Sequence, residues 1–287
     1  MSITETGGGC LIAAGGHEDK EAARIILREI AGHVQGGKLV IATVASHQPA
    51  GYFPMYQEAF AGLGVGELQE LYLEERSDAG DPETLAVFDG AAGVFFTGGD
   101  QMRIASNVRD TPVEERLREL LRAGGLVAGT SAGAAAMSQS MLAKGPNNGS
   151  LHVGDLHMAP GLGLIDGVIL DQHFAERGRI GRLLGAVAQD ARSLGVGVDE
   201  DTALVIEGGC FRVIGSGGVY VVDAHGVTHS NMGEDRPEQT LSLYDVRLHL
   251  LGAGDAFDLG ERRPMDSPGL EASHKLEAPR PRRKRAA

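Results

Sequence analysis

Leu126-Val127-Ala128-Gly129-Thr130-Ser131-Ala132-Gly133-Ala134-Ala135-Ala136-Met137 reads as a strand, a sharp turn and the start of a helix. The apolar run before the turn suits a buried strand, and the alanine run after it suits a helix. Between them, Gly129-Thr130-Ser131-Ala132-Gly133 has the Gly-x-Ser-x-Gly pattern of a nucleophile elbow. Small residues on either side of the serine let strand and helix pass closely, and they tolerate a strained backbone between them. The serine hydroxyl is then presented above the strand end. The helix behind it aims unpaired backbone N–H groups at any negative charge that develops there. The chain contains 43 glycines, so the five letters alone also fit an ordinary tight turn. The flanking strand and helix are what point to a nucleophile.

Working outward, the preceding residues alternate short apolar runs with helical periodicity. Runs at 10–14, 39–44, 68–73 and 93–97 read as buried strands. Between them, 19–34 has helical spacing, with Ala22, Ile25, Ile26, Ile30 and Val34 on one face. Helices are also expected at 56–63, 82–88 and 113–122, the last grouping Leu117, Leu120 and Leu121. Strands that are apolar throughout and separated by helices predict an α/β fold. Its mostly parallel central sheet is covered by helices on both faces. Ligands in such sheets bind beyond the carboxyl ends of the strands. That places the turns near Gly15, Ser46, Gly98 and Gly129 on one rim. Beyond residue 140 the pattern changes. A Gly/Asn-rich exposed loop is expected at 144–154, an apolar run at 165–170 and a helix at 174–184. Additional antiparallel strands are expected at 203–206, 211–214 and 219–222, with one more within 241–251. No repeat or linker divides the chain, so a single domain over 1–274 is expected, followed by a basic tail at 275–287.

Composition narrows the function. With 287 residues the chain can bury a large core. No apolar run reaches the ~18 residues of a membrane span, and the first residues lack a basic-then-apolar leader, so a cytoplasmic protein is expected. Cys10 and Cys210 lie far apart in apolar runs and read as reduced, buried thiols. No CxxC pattern occurs, and neither a metal nor a cofactor is expected. The net charge is −13, and without the tail from Lys275 onward the remaining chain carries −18. Such an acidic body repels nucleic-acid phosphates and tolerates cationic substrates.

A serine hydroxyl needs a base to take its proton and a carboxylate to orient that base. Of 10 histidines, His173 is the best placed: Asp171-Gln172-His173-Phe174 follows Val168-Ile169-Leu170, which puts the imidazole at a strand end. His47, His152 and His157 fall in loops, and His225, His229 and His249 in the polar C-terminal strands. The acid is expected in Asp199-Glu200-Asp201. Glu200 is the natural choice, although physics does not separate the three from sequence. An oxyanion hole would take one donor from Ala132, after the serine, and one from Gly98-Gly99. Finally, Glu176-Arg177-Gly178-Arg179-Ile180-Gly181-Arg182 follows the candidate base. Guanidinium forks at a cleft rim bind carboxylates in bidentate fashion.

Taken together, Gly98-Gly99-Asp100-Gln101, Gly129–Ala134, Asp171–Phe174 with Arg177, Arg179 and Arg182, and Asp199–Ala203 resemble the cyanophycinases. These are serine peptidases related to aspartyl dipeptidase, with a fold like class I glutamine amidotransferases. The resemblance implies a triad of Ser131, His173 and Glu200, and an oxyanion hole involving Gly99 and Ala132. It implies substrate-pocket roles for Gln101, Asp171, Gln172, Arg177, Arg179 and Arg182. It implies exopeptidase cleavage of the cyanophycin polymer, a poly-aspartate with arginine amide-linked to each side chain, to β-aspartyl-arginine dipeptides. It also implies a homodimer. Two rivals are an aspartyl dipeptidase for short Asp-X peptides and a non-catalytic binding protein on the same fold. His17, on the same rim, has no role in this reading.

Overall fold

Alternation along the first strand sorts the core into two layers. In β1 (Cys10–Ala14) all five residues are buried. Leu11 and Ala13 enter one apolar cluster, and Cys10, Ile12 and Ala14 enter another on the opposite face. The computed structural model describes residues 8–145, 151–233 and 237–265. The basic tail at 275–287 and the middle of the 144–154 loop lie outside them.

β1, β2 (Lys38–Ala42), β3 (Glu67–Leu71), β4 (Ala91–Phe96) and β5 (Leu126–Thr130) run parallel in the order β3-β2-β4-β5-β1. Helices alternate with them: α1 (Ile25–Val34), α2 (Tyr52–Phe60), α3 (Pro82–Ala86), α4 (Gln101–Val108), α5 (Pro112–Arg122) and α6 (Ala132–Ala135). α1 and α2 set Ile26, Leu27, Ile30, Tyr56 and Phe60 against one face. α4 and α5 set Ile104, Val108, Val113, Leu117 and Leu121 against the other. Both faces are thus covered, as uninterrupted apolar strands require.

The later strands build more than an extension of this sheet. β6 (Ser140–Lys144) pairs with β7 (His157–Pro160). β8 (Val168–Gln172) and β9 (Leu194–Val198) are parallel and joined through α7 (Ile180–Gln189). The chain then crosses to the large sheet, where β10 (Thr202–Glu207) lies antiparallel to β1 and β11 (Cys210–Gly215) antiparallel to β10. β12 (Val219–Asp223) returns to β9. β13 (His229–Ser230) pairs with β14 (Leu243–Tyr244), and β15 (Arg247–Leu251) with β12. β16 (Ala256–Asp258) and β17 (Arg263–Met265) close the large sheet beyond β11. The result is a nine-stranded mixed sheet and a four-stranded sheet ordered β15-β12-β9-β8. Val168, Leu170, Val196, Val198 and Val221 of the small sheet share the cluster that contains Leu11. Its other face meets Phe174, Leu183 and Val187 near α7.

Three helix boundaries differ from the sequence expectation. α1 starts at Ile25, not residue 19. The Asp19 carboxylate accepts the N–H groups of Glu21, Ala22 and Arg24, holding 19–24 in a turn. Ile25, expected on the apolar face, is 46% exposed, and Leu27 is buried in its place. The helix expected at 174–184 begins only at Ile180 and runs to Gln189, after a chain of turns. α2 lies at Tyr52–Phe60 rather than 56–63. α4 was not anticipated at all. Its signal was Asp100, whose side chain accepts the Met102 N–H as an N-cap.

Candidate active site

The elbow has the geometry its letters imply. Ser131 sits at φ 51° and ψ −109°, between β5 and α6. A Cβ on Gly129 would lie 2.6 Å from the Gly133 carbonyl carbon, and one on Gly133 would lie 2.5 Å from the Phe96 oxygen. Both glycines are therefore required by close backbone passage. The Ser131 N–H is already donated to Ala14 O at 3.0 Å, and the Asp100 N–H to Ala45 O at 2.9 Å. Those commitments leave Ala132, the first residue of α6, and the Gly98-Gly99 turn as the neighbouring sources of backbone donors. Gly98 packs against the serine: a Cβ there would lie 3.5 Å from Ser131 Cβ.

Two sheets meet at the serine. β5 ends the large sheet's contribution at Thr130, and β8 ends the small sheet's at Gln172, just before His173. The His173 Nε2 lies 2.9 Å from Ser131 Oγ, and its Nδ1 lies 2.6 Å from Glu200 Oε1. A carboxylate only accepts, so Nδ1 carries the proton and the Nε2 lone pair faces the serine O–H. Glu200 lies in the crossover from β9 to β10, the link between the two sheets. Its neighbours are engaged elsewhere. Asp199 accepts the N–H groups of Ala175 and Gly218, and Asp201 accepts those of Asp19 and the Ser216 hydroxyl. Of these three carboxylates, Glu200 is the one within hydrogen-bond distance of His173. Burial lowers the His173 pKa below its ordinary value, and Arg177 works in the same direction, while the Glu200 hydrogen bond opposes them. Gly15 O accepts the His173 N–H at 2.8 Å. A Cβ on Gly16 would come within 2.3 Å of the imidazole, so the Gly15-Gly16 turn is what lets the ring lie there. His17 follows. It is exposed, with Nδ1 3.7 Å from Glu200 Oε2, and its ring meets the His173 ring edge-on at 5.2 Å.

The arginine cluster is divided. Arg179 and Arg182 both pair with Asp171, and all three are buried. Arg179 also donates to Gln172 Oε1 at 2.6 Å. Arg177 is exposed. The Asp171 carboxylate is fully buried, so it lies beneath the cleft, not in it, as the counter-ion of two guanidinium groups. The substrate-pocket role that the resemblance implies for Asp171 is corrected on that ground. Two buried guanidiniums need a charge partner more than the cleft needs another acid. The Gln101 amide donates to Leu142 O at 3.0 Å.

Residues 10–214 match Peptidase family S51. The chain belongs to this family. As an S51 member it is a peptidase of the serine type. It is 40% identical over 256 residues to a cyanophycinase of Trichormus variabilis, covering 88% of this chain and 86% of that one. It is 36% identical over 259 residues to a cyanophycinase of Geminocystis herdmanii, covering 89% and 95%. Among solved structures, a peptidase from an acI-B1 actinobacterium superposes with a TM-score of 0.66 at 21% identity, over 88% of this chain and 98% of that one. A putative peptidase E from Listeria monocytogenes gives 0.51 at 16%, over 73% and 99%. These two show a shared fold. No helix among the described residues is long and apolar enough to cross a membrane.

The cleft of this S51 chain measures about 700 Å³. Gln101, Gln172, Arg177, Arg179 and Arg182 line one part of it, and the 17–21 loop with Tyr52 and Tyr56 lines another. Sequence reasoning missed Glu18. Its carboxylate is only 1% exposed, and it accepts from Tyr56 Oη and Thr130 Oγ1, each at 2.6 Å. The Lys20 ammonium lies 2.9 Å away. Burial acts to raise the Glu18 pKa, but the Lys20 charge and the two hydroxyl donors overcome it and leave the pKa lowered. Glu18 is therefore an ionised buried group tying the β1 loop and α2 to the residue before Ser131. The available signal was an acidic residue two positions after Gly15-Gly16, next to His17 on the same rim.

Proposed function

We propose that this S51 peptidase is a cyanophycinase: an exopeptidase that cleaves the poly-aspartate backbone of cyanophycin and releases β-aspartyl-arginine dipeptides. The observation that carries this reading is the continuous Ser131–His173–Glu200 hydrogen-bond chain at a strained elbow, in a chain 36–40% identical to several cyanophycinases. In the reaction, the Nε2 lone pair of His173 takes the Ser131 proton as Oγ attacks the scissile carbonyl. The tetrahedral oxyanion accepts from the Ala132 and Gly99 N–H groups, each such donor contributing about 3–4 kcal/mol to the barrier reduction. His173 then returns its proton to the leaving amine. Water, activated by the same imidazole, frees the acyl group. Glu200 keeps the Nδ1 proton in place and stabilises the imidazolium that forms.

The substrate unit carries a free carboxylate and a guanidinium. Arg177 is the exposed guanidinium of its cluster and suits the carboxylate. Gln101, Gln172, Arg179 and Arg182 line the same wall, with Asp171 fixing the last two from below. Glu21, exposed in the 17–21 loop, also lines the cleft and suits a cation. The same reading includes a cytoplasmic homodimer. The exposed Leu248 and Leu250 on β15, the last strand of the small sheet, supply an apolar edge for a second copy. Light scattering of the purified protein should give the dimer mass, and a monomer would remove that part.

The deciding experiment incubates purified protein with cyanophycin and identifies products by mass spectrometry. The expected result is β-aspartyl-arginine from the wild type and none from Ser131→Ala. Wild type that cleaves Asp-Leu-type dipeptides but not the polymer would replace this reading with the dipeptidase. Undiminished release by Ser131→Ala would end the serine mechanism.

A further inference from the structure

A second cluster of chemically active side chains lies at the opposite end of the large sheet. Cys10 opens β1 beside Leu126, the first residue of β5. Ser131 follows the other end of β5, about 16 Å away at strand rise. β10 runs antiparallel to β1 with Leu11 opposite Ile206, which brings Glu207 to the same end as Cys10. α1 crosses there, and His33 and Glu29 share one of its faces four residues apart. Cys10 Sγ lies 3.8 Å from His33 Nε2. One ligand atom from each of Cys10, His33 and Glu207 lies within 4.8 Å of the others.

We propose that Cys10, His33 and Glu207 form a binding site for a zinc-class divalent cation, remote from the catalytic serine. A tetrahedral ion with a thiolate at ~2.3 Å and an imidazole at ~2.0 Å sets sulfur and nitrogen roughly 3.5 Å apart. The separation present between Cys10 and His33 needs only a small inward movement. Glu207 supplies the third ligand from an exposed position, and water the fourth. A thiolate with an imidazole selects zinc or cobalt over magnesium and calcium, which prefer all-oxygen shells. The local field also suits a cation. Glu29 stands 3.1 Å from His33 Nε2, with Arg212 as a second partner. When the metal takes Nε2, Glu29 keeps that arginine and is not left unpaired. Burial first, then Glu207 and Glu29, push the free Cys10 thiol up to about 12. Without an ion the group is therefore the S–H form. Binding forms the sulfur–metal bond, breaks S–H and releases one proton to solvent. The ion would staple α1 to the ends of β1 and β10, themselves a hydrogen-bonded strand pair.

The test titrates chelator-treated, reduced full-length protein with Co²⁺ and follows the near-ultraviolet sulfur-to-cobalt charge-transfer band. One equivalent should saturate the band. Cys10→Ser should abolish it and Cys210→Ser should leave it. His33→Gln and Glu207→Gln, at a half-buried and an exposed position, should each weaken cobalt binding by roughly tenfold or more. Zn²⁺ should raise the thermal midpoint of wild type and not of His33→Gln. No band in wild type at saturating cobalt, or a band that persists in Cys10→Ser, overturns the proposal.

Discussion

Ser131 and His173 are both held at φ near +50°, at 51° and 47°, a region side-chain-bearing residues rarely occupy. Each such residue costs of order 1–3 kcal/mol and persists only where its surroundings over-determine it. Here the surroundings are the elbow glycines for one and the Gly15-Gly16 turn for the other. The strain holds Oγ and Nε2 in hydrogen-bond contact before any substrate arrives. Glu200→Gln keeps the shape and removes the charge, so kcat should fall by roughly 10³–10⁴ with KM little changed. A loss below tenfold would detach Glu200 from the triad. The pH profile follows from the sign of the His173 shift. In the proposed mechanism the neutral imidazole is the active form, and burial lowers its pKa from 6.5. Activity should therefore be level through neutrality and fall only below that value as the ring protonates. Glu200 raises the His173 pKa, so the residual activity of Glu200→Gln should show its acid limb at still lower pH. A limb displaced upward would contradict the assignment.

At the scale of elements, the cleft is assembled from loops that short turns bring together. Gly16→Ala puts a methyl group 2.3 Å from the His173 ring at a φ of +108°. The ring must move and the Ser131 contact must lengthen. The expected result is a folded protein with kcat reduced by about 10²-fold or more, and full activity would mean the loop yields instead. Glu18 joins the loop after β1 to α2 and to the end of β5. Glu18→Ala strands the Tyr56 and Thr130 hydroxyls and the Lys20 ammonium, and about 3–5 kcal/mol of stability should disappear in a denaturant titration. A change under ~1 kcal/mol would show that water replaces the carboxylate. Asp171→Ala is the parallel case beneath the arginines, where two guanidiniums lose their common partner.

At the scale of the molecule, the candidate active site lies where two sheets converge. The nine-stranded sheet carries Ser131 and the four-stranded sheet carries His173, with Glu200 on the strand-to-strand link between them. Separating the sheets would dismantle the proposed triad, so catalytic activity should be lost in the same denaturant transition as the fold. Every residue placed at the cleft falls between His17 and Glu200. A chain ending at residue 274 should therefore keep kcat/KM on the polymer within about twofold while its net charge moves from −13 to −18. A large loss would give the basic tail a part in polymer binding, through the substrate's free carboxylates.

Much of this was written locally. Uninterrupted apolar runs of strand length, closed by glycine pairs, predict parallel strands and loops on one rim without reference to anything distant. The Gly-x-Ser-x-Gly turn and the histidine after Val168-Ile169-Leu170 are legible for the same reason: neighbouring residues impose their backbone. The selection of Glu200 over Asp199 and Asp201 is different. It depends on which way each carboxylate points in a turn spanning two sheets, with Asp201 itself at φ 47°, and pairing with strands far along the chain sets that direction. The same holds for Glu18, buried against Thr130 more than a hundred residues away, whereas Asp171 takes its two arginines from the segment that follows it. The amino-acid order determined which elements form and which chemistry they carry. Only the tertiary packing decided that Glu200 meets His173 and that Glu18 meets Thr130, because those partners are brought together in space from distant parts of the chain.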